Sequence, residues 1–101
     1  MTESPERRLE AVVHGRVHGV GFRVYTLRVA RGLGLRGWVA NERGGQVRVV
    51  AEGPADRLGQ LIQALRSGPP AALVDRVDED WSEASGRHAS FEIRSGWHGG
   101  D

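Results

Sequence analysis

Residues 15–23 read GRVHGVGFR and stand between a stretch of alternating apolar residues and a stretch with helical spacing. Glycine adopts backbone conformations that are closed to other residues, so three glycines in seven positions allow successive N–H groups to point at one anion. The positive end of a following helix favours the same charge. The segment therefore predicts an oxyanion-binding loop between a strand and a helix, and we call residues 15–22 the glycine loop.

The sequence on either side of the glycine loop predicts its two neighbours. Residues 9–14 alternate between two faces, which is the period-two pattern of a strand covered mainly on one side. From Phe22 onward, apolar residues recur at helical spacing until Gly32 and Gly34 end the pattern. We therefore expect Arg23 in the first turn of this helix, where its guanidinium can bind an oxyanion through two donors.

The rest of the chain predicts four more main elements and a short fifth strand. Residues 35–41 and 46–52 read as strands joined by a turn, and a helix with apolar positions Leu58, Leu61, Ile62 and Leu65 follows Gly53 and Pro54. We expect a fourth strand over 73–81, a loop over 82–88 and a short strand at Phe91 and Ile93. The order β-α-β-β-α-β predicts an α+β fold of the ferredoxin-like split type. In it, an antiparallel sheet of four to five strands carries two helices on one face.

The glycine loop and Arg23 resemble a signature of the acylphosphatase family, and residues 37–41, GWVAN, resemble its second signature. The resemblance extends over about residues 7–94 and implies the same ferredoxin-like fold. It divides the chain into an acylphosphatase-like domain over 7–94, a flexible N-terminus over 1–6 and a flexible C-terminal tail over 95–101.

Acylphosphatases hydrolyse the carboxyl–phosphate bond of acyl phosphates, and the resemblance implies this activity without a cofactor. It assigns Arg23 as the phosphate-binding catalytic residue and Asn41 as the residue that orients the attacking water. The expected phosphate-binding residues are Arg16, Val17, His18, Gly19, Val20, Gly21, Phe22 and Arg23. No strong general base is evident, so we expect a phosphate oxygen of the substrate to take the proton.

Several of these residues also have a plainer interpretation. Arg23 could be a surface arginine, although the positive helix end disfavours a cation there unless an anion neutralises it. Asn41 could be a turn asparagine, because asparagine commonly bonds its own backbone at turns. His18, where the family often has glutamine, is interpreted as a loop-bracing side chain, with donation to phosphate as the alternative. Ala40 and Gly44 stand where the family commonly has an arginine and an aspartate. We expect these two departures to affect the catalytic efficiency and not the type of reaction.

Composition narrows the class of protein. A chain of 101 residues fits one domain, and a formal net charge of +1 gives no global attraction to nucleic acid or to an anionic membrane. The absence of cysteine excludes disulfides and thiolate metal sites, and the histidines lack metal-ligand spacing, so no metal is expected. The first eight residues are polar and carry no apolar stretch, which predicts a cytoplasmic protein without a membrane span. We expect a monomer.

Proteins with the predicted fold also perform two other functions, which are alternatives for this chain. RNA-recognition domains have the same element order, but this chain lacks their run of sheet aromatics. Alternatively, the glycine loop could bind or sense acetyl or carbamoyl phosphate, as the related domain of large hydrogenase-maturation proteins suggests. A third possibility concerns regulation, since Asp101 and the chain terminus could bring carboxylates to Arg23 and inhibit the enzyme.

Overall fold

The computed structural model of the protein describes residues 5–95. The predicted order of elements is confirmed. The elements are β1 (Glu6–Arg16), α1 (Phe22–Gly32), β2 (Arg36–Asn41), β3 (Val47–Pro54), α2 (Ala55–Ser67), β4 (Leu73–Glu83) and β5 (Phe91–Ile93).

The five strands form one sheet in the order β4-β1-β3-β2-β5. The pairs β4–β1, β1–β3 and β3–β2 are antiparallel, as predicted. The three-residue β5 lies parallel to β2, a pairing that the sequence analysis did not anticipate. The fold is α+β and ferredoxin-like, with two helices on the sheet.

Both helices cover the same face of the sheet, and the core lies between them. Alternate residues of β1, namely Leu9, Ala11 and Val13, are fully buried there against helical residues such as Leu58 and Leu61. Because successive strand side chains point to opposite faces, the residues between these core positions lie on the other side of the sheet. We call that side, which the helices do not cover, the open face.

Several element boundaries differ from the prediction, and those at the start of β1 and the end of β4 have a clear cause in the sheet. β1 begins at Glu6, within the segment expected to be flexible, because Glu6 continues the ladder with Pro54 of β3. β4 extends to Glu83, two residues beyond the predicted end, since its ladder with β1 continues to Arg7. The remaining parts of the predicted flexible ends, 1–4 and 96–101, lie outside the described residues. Trp97, His98 and Asp101, and the predicted contact of the chain terminus with Arg23, lie there too.

No helix formed by residues 5–95 is both long enough and apolar enough to cross a membrane.

Candidate active site

Backbone conformations that favour glycine shape the segment between β1 and α1. Gly15, Gly19 and Gly21 have φ angles of +131°, +71° and +78°. At Gly15, where the β1–β4 register shifts, a Cβ atom would lie 2.1 Å from the carbonyl oxygen of Leu73. Only glycine therefore lets the two strands approach this closely, and the chain then turns into the loop.

Apolar side chains and one histidine hold the glycine loop against the body of the protein. Val17 is 1% exposed and Phe22 is 2% exposed, and Val20 packs against the same core. The Nε2 atom of His18 lies 2.7 Å from the carbonyl oxygen of Gln46, so this nitrogen must donate the hydrogen bond. His18 thus links the loop to Gln46, the residue before β3, which is the kind of contact expected of a loop-bracing side chain.

The glycine loop ends at the N-terminus of α1. Gly21 is the N-cap residue in a left-handed conformation, with no side-chain cap, and the first turn contains no acidic residue. The first N–H groups of a helix have no partner inside the helix and carry its positive end. Arg23 lies in this first turn, as predicted. The loop and the helix end together form a surface suited to an anion.

Asn41 is brought to the same place by the sheet. It is the last residue of β2, pairs with Val47 of β3 and is 5% exposed. A cleft of about 80 Å³ joins it to the glycine loop and the helix end. We call this the loop cleft, and its lining residues are Val17, Gly19, Gly21, Phe22, Arg23, Val24 and Asn41.

The lining of the loop cleft differs from the full set of predicted site residues, Asn41 included, at four positions. Among the described residues, Arg16, His18 and Val20 do not line it, because Arg16 still belongs to β1 while His18 and Val20 brace the loop. Val24 lines the cleft and is 44% exposed, although the sequence analysis did not single it out. Val24 follows Arg23 directly at the start of α1, and this position could have indicated that it lies at the cleft.

The charges around the loop cleft favour an anionic ligand. Arg23 is the charged residue among those that line it, and the lining of the cleft contains no carboxylate. Within the described part of the chain, no group of three or more His, Cys, Asp or Glu side chains is placed to hold a metal ion. The chemistry available in the cleft is therefore that of backbone N–H groups, a guanidinium and a neutral amide.

The acylphosphatase family profile matches residues 9–93. The chain belongs to the acylphosphatase family. It is 49% identical over 94 residues to an acylphosphatase of Salinibacter ruber, a match that covers 93% of this chain and 99% of the relative. Its structure resembles the acylphosphatase of Bacillus subtilis with a TM-score of 0.85 at 34% identity, over 87% of this chain and 98% of that one.

A further structural neighbour is the full-length HypF protein, with a TM-score of 0.83 at 23% identity. The similarity covers 95% of this chain but 13% of HypF, and it shows a shared fold.

Membership of the family settles the class of reaction. This acylphosphatase is an enzyme that hydrolyses the carboxyl–phosphate bond of acyl phosphates to a carboxylate and inorganic phosphate. The function expected from the two sequence signatures is confirmed.

Proposed function

We propose that this acylphosphatase carries out hydrolysis in the loop cleft, with Arg23 as the phosphate-binding residue and Asn41 as the residue that orients the water. The observation that carries the proposal is that one small cleft is lined by both side chains together with the left-handed glycines Gly19 and Gly21.

The phosphoryl group is held by the backbone of the glycine loop and by Arg23. N–H groups near Gly19, Gly21 and Phe22 donate to its oxygens, and the positive end of α1 adds to their effect. The guanidinium of Arg23 donates through two parallel N–H groups, which suits a flat pair of phosphoryl oxygens. His18 keeps the loop in position through its bond to Gln46 and does not touch the phosphate.

Attack of water on phosphorus completes the reaction. The side-chain oxygen of Asn41 accepts a hydrogen bond from the water and aims it in line with the bond to the carboxylate. The new P–O bond forms as the bond to the acyl oxygen breaks, and the carboxylate leaves with the bonding electrons. A phosphoryl oxygen takes the proton of the water, since the carboxylate is a good leaving group and needs no protonation.

The size of the loop cleft supports a broad choice of acyl groups. Its volume of about 80 Å³ is well below the ~300–1,000 Å³ of sites that enclose a drug-sized ligand. The cleft therefore encloses the phosphoryl end, and the acyl group lies towards solvent beside the exposed Val24. We propose that the enzyme accepts several small acyl phosphates.

We also propose that the enzyme acts as a cytoplasmic monomer without a nucleic-acid partner. β4, at one edge of the sheet, carries five acidic residues, and like charges oppose the pairing of two such edges. β5, at the other edge, is three residues long. The net charge of +1 supports the absence of a nucleic-acid partner.

Hydrolysis of benzoyl phosphate tests the proposed site. The loss of ultraviolet absorbance is followed in the presence of a chelator for the wild type, Arg23→Ala and a control, Arg28→Ala. Arg28 is exposed on the same helix, so its replacement removes the same charge away from the cleft. We expect Arg23→Ala to lose about 10³-fold in kcat/KM or more. Arg28→Ala should stay near the wild type, and a near-normal rate for Arg23→Ala would place the reaction elsewhere.

A further inference from the structure

A second and larger cleft lies on the open face of the sheet. Its volume is about 680 Å³, and it is lined by Arg8, Trp38, Ser85, Arg87, His88 and Arg94. These residues come from β1, β2, the segment between β4 and β5, and the position directly after β5. We call it the open-face cleft, and none of its lining residues belongs to the loop cleft.

The two clefts are separated by the sheet itself. Arg8 and Trp38 alternate with the core residues Leu9 and Val39, so their side chains lie on the face away from the helices. Arg8 also lies far along the sheet from Asn41. Arg8 is five residues along β1 from Val13, whose register places it near Asn41 through Val47, a strand length of about 17 Å. A ligand in one cleft therefore leaves the other accessible.

Three guanidinium groups line the open-face cleft. Arg8 donates to Glu52 at 3.2 Å. The guanidinium carbon of Arg94 lies 4.5 Å from the centre of the Trp38 ring, an interaction that leaves N–H donors at the edge of the group available. Within residues 5–95, neither Arg87 nor Arg94 forms an ion pair with a carboxylate. The cleft therefore holds positive charge that the described residues do not neutralise.

Glu52 fixes the segment that supplies half of the lining residues. Its fully buried carboxylate accepts hydrogen bonds from the Ser85 N–H at 2.9 Å, the Ser85 hydroxyl at 2.8 Å and the Gly86 N–H at 2.9 Å. These bonds hold the chain across the open face and set the positions of Arg87 and His88. The cleft is thus organised in advance, which lowers the entropy that a ligand must lose on binding.

We propose that the open-face cleft is a second anion-binding site, which takes a small polyanion with several phosphate or carboxylate groups. Planar guanidinium groups bind both kinds of oxyanion in pairs of hydrogen bonds, and the imidazole of His88 offers a further donor. The volume of the cleft lies within the ~300–1,000 Å³ of small-molecule sites, whereas the loop cleft encloses little more than a single phosphoryl group.

Calorimetric titration of the Arg23→Ala protein with sodium tripolyphosphate and, separately, with citrate tests this site at low salt. The Arg23→Ala substitution weakens phosphate binding in the loop cleft. The measured heat of binding therefore comes from the open-face cleft. We expect saturable binding of one polyanion per chain, and the tighter of the two anions identifies the phosphate or the carboxylate class. Adding Arg87→Ala or Arg94→Ala should weaken that binding about tenfold or more, as the loss of a charge-assisted hydrogen bond does.

Arg28→Ala on the same background is the matched control, because it removes an exposed charge from the helix face of the protein. We expect it to change the affinity by less than about twofold. Arg87 and Arg94 are both exposed, and circular dichroism checks that each variant keeps the fold. The absence of saturable binding of either polyanion would overturn the proposal. An equal loss of affinity in Arg28→Ala and Arg87→Ala would also overturn it, since the loss of any arginine charge would then explain the weaker binding.

Discussion

The loop cleft and the open-face cleft both present positive charge, but they are built from different parts of the chain. The loop cleft consists of backbone from one continuous segment, the glycine loop, with Arg23 beside it and Asn41 opposite. The open-face cleft consists of side chains from four separate segments, held by the buried carboxylate of Glu52. A site made of backbone fits one small group closely, whereas a site made of long side chains accommodates a larger and more variable anion.

This difference predicts which substitutions affect each cleft. Adding a Cβ atom to a glycine alters the backbone of the loop cleft and leaves the open-face cleft intact. Removing the charge of Glu52 releases the segment at Ser85 and leaves the loop cleft intact, because the two clefts lie on opposite faces of the sheet.

Gly15→Ala should have the largest effect on stability. The new Cβ atom would lie 2.1 Å from the Leu73 carbonyl oxygen, so β1 and β4 must separate where the loop begins. We expect the free energy of unfolding to fall by about 3 kcal/mol or more in urea titrations. Gly59→Ala in α2 is the control, since a Cβ atom there meets nothing within 4 Å and favours the helix. Equal stability of Gly15→Ala and the wild type would contradict the close approach of the strands.

Glu52→Gln should destabilise the protein nearly as much and in a pH-dependent way. Burial raises the pKa of Glu52, but hydrogen bonds from Ser85, Gly86 and Arg8 outweigh it and lower the pKa from 4.5 to about 2. A lowered pKa gives stability that is fully present above about pH 4.5 and is lost as the pH falls towards 2. The gap between these two pKa values corresponds to about 3 kcal/mol in the free energy of unfolding.

Urea titrations at several pH values measure this effect. The wild type should lose stability between about pH 4.5 and 2, and Glu52→Gln should show a flatter profile over that range. Hydrolysis of benzoyl phosphate by the folded variant should stay close to the wild-type rate. A large fall in that rate without unfolding would mean that the two clefts are coupled.

Gly21→Ala should reduce activity more than stability. Gly21 has a φ of +78°, and a Cβ atom added there would meet no atom within 4 Å, so the cost is backbone strain of about 1–2 kcal/mol. The strain turns N–H groups away from the phosphoryl oxygens, and we expect kcat/KM to fall about tenfold or more. Gly34→Ala is a control with a similar φ of +70° outside the loop cleft. Equal kinetic losses in both variants would assign the effect to strain alone.

His18→Ala should have the smallest effect of the four. It removes the hydrogen bond to the Gln46 carbonyl oxygen, which costs about 1 kcal/mol and loosens the glycine loop. We expect KM to rise a few-fold with kcat little changed. His14→Ala, which removes a partner of the exposed Asp78, is the control for loss of a histidine. A fall of kcat by about 10²-fold or more in His18→Ala would show that His18 acts on the phosphate itself.

Part of the loop cleft could be predicted from local sequence, because glycine spacing and the first helical turn place Arg23 beside the glycine loop. Asn41 comes from a separate strand, and only the resemblance to the family's second signature assigned it to the same site. The open-face cleft was not predicted, since Arg8, Arg87 and Arg94 come together only through strand register. Its lining includes no run of neighbouring residues long enough to form a recognisable motif.

Glu52 shows why long-range contacts escape a sequence pattern. Glu52 is the last residue of the predicted strand 46–52, and its side chain is expected on the face opposite the core. A carboxylate is common on such a solvent-facing side. Glu52 is buried because the segment after β4 crosses the open face and donates two backbone N–H groups to it. The parallel pairing of β5 with β2 depends on the same crossing, which no local preference specifies.

Steady-state kinetics of Asn41→Ala with benzoyl phosphate, together with the inhibition constant of inorganic phosphate, test the central claim most directly. If the glycine loop and Arg23 hold the phosphoryl group while Asn41 orients the water, kcat should fall about 10²–10³-fold and phosphate should inhibit as strongly as in the wild type. Loss of phosphate inhibition together with the rate would instead make Asn41 a structural residue of the cleft, and an unchanged kcat would remove it from the reaction.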